Sequence, residues 1–197
     1  MRKQTELHFA LYPSSYLMLC AFFLLLPLPW VMAWMLASLF HECCHLLALK
    51  MMGQPVYSII LTLHGAKIHT AALSWGQEAV AAWAGPLGEL LLAGFYRVYP
   101  ELAVCSIFGA LYNLLPLYPL DGGRAVQAVL SGLLPLQTAE SIGNRRGWLV
   151  LLALAGGSVF LWTRYGFGPV PLLFVFFLGI KTGKVTYPCK HPRYLLQ

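Results

Sequence analysis

From Leu17 to Leu49 the chain is almost wholly apolar, interrupted by Pro27 and Pro29 and by one polar cluster, His41-Glu42-Cys43-Cys44-His45. About 20 apolar residues in a helix cross the roughly 30 Å hydrocarbon layer of a bilayer. A run of this length therefore points to a membrane before any motif is considered. Charge supports that reading: 10% of the 197 residues are charged, against about 25% in an ordinary soluble domain. The length leaves no room for a sizeable soluble domain beside the apolar runs.

Apolar runs bounded by Pro, Gly and charge predict six helices, over about 8–27, 30–52, 78–96, 102–119, 148–162 and 169–180. The expected fold is an all-α polytopic membrane protein, a single membrane-embedded domain over 1–197. Its motif-bearing core spans about 17–123, and its C-terminal helices about 148–183. Pro116 and Pro119 should break the fourth helix near its end. Backbone freed there must be buried in protein or line a wet cavity, which places a polar pocket at that point. Residues 56–63 read as a strand, His64-Gly65 as a turn, and 66–70 as a partner strand. Met1-Arg2-Lys3 before an apolar run superficially resembles a signal peptide, but no small-x-small site follows it cleanly. A retained first helix is the expectation.

Five cysteines show neither C-x-x-C nor a disulfide spacing. With the N-terminus inside, eleven of the thirteen Lys and Arg residues fall on the cytoplasmic side, and only Arg97 and Arg164 fall outside. This positive-inside pattern puts both termini in the cytoplasm. It also accounts for the net charge of +6 without a nucleic-acid partner. The His41–His45 segment then lies toward the cytoplasmic end of its helix.

Two imidazoles at i and i+4 stand about 6 Å apart along a helix and about 40° apart around it, so His41 and His45 can reach one Zn²⁺. Glu42 can accept a proton from water held there. Polar groups of this kind are costly at membrane depth, about 2.5–3.5 kcal/mol for a charged residue at mid-bilayer, and so read as functional. A catalytic zinc needs a third protein ligand and an open position. Of seven acidic residues, Asp121 follows the Pro116/Pro119 break and returns to the cytoplasmic depth of His45. Gly122 and Gly123 beside it permit close backbone approach.

In this order and spacing, His41-Glu42-x-x-His45, Ala84-Gly85-Pro86 and Asn113-x-x-Pro116-x-x-Pro119-x-Asp121-Gly122-Gly123 resemble the site-2 protease family, peptidase family M50. The resemblance implies an intramembrane zinc metalloendopeptidase with one Zn²⁺ per chain, held by His41, His45 and Asp121. It also implies Glu42 as general base and Asn113 as a contact to the substrate or developing oxyanion. The layout is most like the branch of stage IV sporulation protein FB, which lacks a PDZ domain, although the usual C-terminal regulatory domain of that branch is missing. The implied partner is a membrane-tethered protein, such as a pro-sigma factor in sporulation, cut within or near the cytoplasmic leaflet of a bacterial membrane. Strand addition at the 56–70 hairpin would hold it extended.

The chain departs from the family pattern at Cys43-Cys44 and at Glu89, where the family often has Asn. Cys44 reads as a small packing residue rather than a ligand, and Glu89 as a protonated helix–helix contact, a partner of a polar substrate group, or a residue at a different depth from the one its span implies. His64 and His69 are expected on the hairpin surface, and Cys189-Lys190-His191 in a tail. Two other readings stay open: a non-catalytic membrane protein that binds clients, and a metal transporter using the same three donors.

Overall fold

Helix α1, Leu28–Met51, begins behind Pro27 and carries a proline in its first turn, where a missing N–H costs no helical bond. It stops at Gly53, whose φ of 68° only glycine adopts without strain. The Gly53 N–H donates to Lys50 O and the Gln54 N–H to Leu49 O, at 3.0 and 2.9 Å. This is the paired closure of a Schellman motif. The structure is a computed structural model and describes residues 8–11, 20, 23–62, 65–166 and 168–183.

The chain divides into two compact units, Met1–Asn113 and Leu114–Gln197. In the first, α1 packs most extensively on α2, Trp75–Leu91. The buried face of α1 repeats every four residues through Ala33, Ala37, His41, His45 and Leu49, and α2 answers with Ala81, Ala82, Gly85, Pro86 and Glu89. Small residues on both sides let the two backbones approach closely. A 3₁₀ turn, Leu92–Phe95, leads to α3, Pro100–Leu114. Ala33, Ala37, Leu92 and Leu102 form an apolar cluster flanked by Phe40, Tyr99 and Cys105. The Tyr99 hydroxyl donates to Pro29 O at 2.6 Å.

The expected hairpin is present as β2, Val56–Thr62, paired antiparallel with β3, Gly65–Thr70. It is extended by a third strand. Residues His8–Leu11 form β1, parallel to β2, which corrects the expectation of a helix from residue 8. A four-residue apolar run carries no usable period, and Pro13 follows too closely for a helix to propagate. Helical structure within that expected span is seen further on, over residues 23–25.

In the second unit the break at Pro116 and Pro119 is present, and α3 ends at Leu114. Helix α4, Asp121–Leu133, is amphipathic rather than uniformly apolar, so no apolar run announces it and it adds an element to the six expected. Helix α5, Leu136–Tyr165, begins well before Trp148 and ends at Gly166 with φ 72°. Its first turns contain Glu140, Arg145 and Arg146, which mask the helix in a hydropathy reading. Its buried residues Ala139, Gly143, Gly147 and Leu151 nevertheless keep one face in step. Helix α6, Val170–Gly183, packs on α5.

Among the described residues, α1 and α5 are long and apolar enough to cross a membrane. In their most apolar stretches only 28% and 17% of residues are buried inside the protein. Leu36, Leu39, Leu47, Leu149, Leu152 and Phe160 are exposed. A soluble core helix would bury such side chains, whereas lipid solvates them.

The start of α2 at Trp75, earlier than residue 78, has a local cause. The Ser74 hydroxyl accepts from the Gln77 N–H at 3.3 Å, and the Ser74 N–H donates to the Gln77 side chain at 3.0 Å, a capping box. Replacing Ser74 by Ala should lower stability by about 1 kcal/mol, read as an earlier thermal unfolding transition in detergent.

Candidate metal centre

His41 and His45 lie on the buried face of α1, 6% and 7% exposed, pressed against α2. The Nδ1 of His45 is 2.7 Å from Ala81 O. A carbonyl oxygen can only accept, so Nδ1 carries the proton. The Nδ1 of His41 is 2.9 Å from Oε2 of Glu89 and donates to that carboxylate. Both rings therefore turn Nε2 inward, and the two Nε2 atoms are 3.0 Å apart with the rings nearly perpendicular. With both Nδ1 atoms protonated, two neutral imidazoles would face each other lone pair to lone pair. A cation between them resolves that conflict, and zinc accepts imidazole nitrogens at about 2.0–2.1 Å. The donor set fits the metal that the motif implies.

Gly85 makes this geometry possible. A Cβ there would land on the His45 ring and lie 2.8 Å from Nε2 of His41. Ala81, Gly85 and Glu89 stand four residues apart on α2, opposite the same spacing of histidines on α1. Gly88 has no room for a side chain either, because a Cβ would meet Cys44 Sγ. Cys44 is thus packed on the α2 backbone, as its small size implied, and Cys43 is exposed.

Glu42 is half-buried on the same turn of α1. Asn113 is half-buried in the last turn of α3. Asp121 opens α4, 8% exposed, where the helix N-terminus favours a carboxylate. Arg124 Nη1 lies 3.2 Å from its Oδ1. The expected role of the following glycines holds: a Cβ on Gly122 would run into the Leu114 carbonyl and one on Gly123 into the Leu117 carbonyl. His69 is exposed on β3. His64 and Cys189-Lys190-His191 lie outside the described residues.

The link between Glu89 and His41 was not legible in the sequence. Its one signal was the Ala81/Gly85/Glu89 stripe, which becomes meaningful once α2 is known to pack on α1.

Comparisons with known proteins agree with this geometry. The model of Peptidase family M50 matches residues 71–154, which carry the second and third motifs. A Synechocystis sp. protein named as a candidate zinc metalloprotease is 30% identical over 158 residues, or 66% of this chain; the chain spans 41% of that relative's length. In fold, the chain is similar to the site-2 protease from Methanocaldococcus jannaschii, with a TM-score of 0.64 at 18% identity, covering 95% of each chain. Together these findings bear out the resemblance to peptidase family M50, the site-2 proteases.

Replacing Gly85 by Ala should abolish stoichiometric zinc while leaving helical content unchanged. Metal analysis of the purified protein beside its circular dichroism spectrum provides the check.

Proposed function

We propose that this chain is an intramembrane zinc metalloendopeptidase that hydrolyses peptide bonds of a membrane-tethered protein, acting as one membrane-embedded domain over 1–197. His41, His45 and Asp121 hold one zinc ion. The observation that carries this reading is the pair of Nε2 atoms 3.0 Å apart, each ring anchored through Nδ1. Two imidazoles and a carboxylate are the kind of donor set that holds a catalytic zinc ion. Arg124 engages Oδ1 of Asp121 and so orients the carboxylate.

Zinc held there would supply Lewis acidity toward water and the scissile carbonyl. Glu42 takes the proton of the attacking water and returns it to the leaving amine. Asn113 contacts the substrate near the reacting carbonyl. The distribution of basic residues supports cytoplasmic termini and an active site toward the cytoplasmic side of a bacterial membrane. The motif layout supports membrane-tethered sigma or anti-sigma factors as the substrate class, including a pro-sigma factor of sporulation.

Co-expression with such candidates, comparing wild type with Glu42→Gln, tests the reading. The variant should lose at least about 10²-fold in cleavage while keeping its zinc. Purified, folded wild type without zinc would overturn the mechanism.

An extended substrate would add to the sheet at β3. Strand β2 is enclosed by β1 and β3 in the order β1-β2-β3, so a proline at Ile59 or Ile60 would damage the sheet rather than its edge. Successive N–H groups of β3 point alternately toward β2 and away from it. Of Lys67→Pro and Ile68→Pro, the one that removes the outward donor should cut cleavage several-fold with zinc retained. Unchanged cleavage in both would exclude docking at this edge.

A further inference from the structure

We propose that Glu89 is a positioning residue for the metal centre. Its carboxylate fixes the tautomer and direction of His41, so that Nε2 is the atom offered to the ion, and it places a negative charge one imidazole away from that ion. The inference rests on the metalloprotease reading above and adds a residue to it.

Three elements of the first unit build the arrangement. Helix α1 supplies His41, α2 supplies Glu89, and α3 supplies a gap. Glu89 is 3% exposed, and its Oε2 accepts from His41 Nδ1–H at 2.9 Å. The carboxylate fits because Gly109 of α3 has no side chain: a Cβ there would strike Oε1 and stand 3.0 Å from Cδ. A buried carboxylate is costly in an apolar interior unless hydrogen-bonded and charge-compensated. His41 provides the hydrogen bond, and a divalent cation held by the histidines would provide the compensation.

The two histidines are anchored differently. His45 donates to a neutral carbonyl, Ala81 O, whereas His41 donates to an acid. A carboxylate behind an imidazole raises its basicity as a metal donor, and removing such partners typically weakens metal binding about 10–100-fold. Gly85 admits both rings and Gly109 admits the acid that orients one of them.

The test is a zinc titration of the purified full chain in detergent, by competition with a chromophoric chelator. Wild type, Glu89→Gln, Glu89→Ala and Gly109→Ala are compared, with Co²⁺ absorption spectra of each as a second readout. Glu89→Ala should raise the zinc Kd about 10–100-fold and alter the Co²⁺ bands. Glu89→Gln, which keeps an acceptor but loses the charge, should fall between it and wild type. Gly109→Ala, which displaces the intact acid, should weaken zinc in the same direction. Should Glu89→Ala not fold, the other two variants decide. A merely structural Glu89 would lower the melting temperature of metal-free protein and leave the Kd within twofold of wild type, and that result overturns the proposal alone. Wild type that binds no zinc overturns the metalloprotease reading and this inference with it.

Discussion

Two imidazole nitrogens held 3.0 Å apart in an apolar interior are the constraint on which the site depends. Left to themselves, neutral rings would swing apart. They are kept together because each Nδ1–H is tied to an acceptor on α2 and because Gly85 leaves space for both rings. The close packing of α1 on α2 therefore both stabilises the first unit and sets the donor geometry. Ala33, Ala37, Ala81 and Ala82 continue the small-residue seam on either side of the histidines, so the helices meet at close range along most of their shared length.

Polar groups at membrane depth are tolerated here by enclosure. Glu89, His41 and His45 are all buried, and each has a partner within hydrogen-bonding distance. Ser106 and Ser158 instead return their hydroxyls to carbonyls one turn earlier on their own helices, at 2.8 Å. Outside the seam, α1 and α5 present leucine and aromatic side chains that only lipid would solvate favourably. The same helix α1 thus turns apolar side chains outward on one face and buries His41 and His45 on the other.

Glycine performs distinct tasks in the chain. At Gly53 it supplies a left-handed turn that ends α1. At Gly85 and Gly109 it supplies volume, for the histidine rings and for the Glu89 carboxylate. At Gly122 and Gly123 it lets the start of α4 fold back onto the Leu114–Tyr118 backbone, which gives the Asp121 turn its shape. A methyl group at Gly85 would meet the histidine rings directly, and one at Gly109 the carboxylate behind His41.

The motifs alone determined much of this: the pairing of His41 with His45 on one helix face, the break after the fourth apolar run, the hairpin, and the close approach at Gly122 and Gly123. These are local statements, set by helical spacing, by the missing N–H of proline and by the missing Cβ of glycine. Hydropathy misjudged elements whose partners are distant or whose surface is mixed. His8–Leu11 is a strand because β2 is there to pair with it. Helix α4 and the start of α5 are amphipathic, so an apolar-run criterion passes over them. The sequence marks Glu89 as a helix–helix contact but does not say which side chain it meets. Its 48-residue separation from His41 carries no local signal, and only the packing of α1, α2 and α3 against one another makes that acid the partner of that ring.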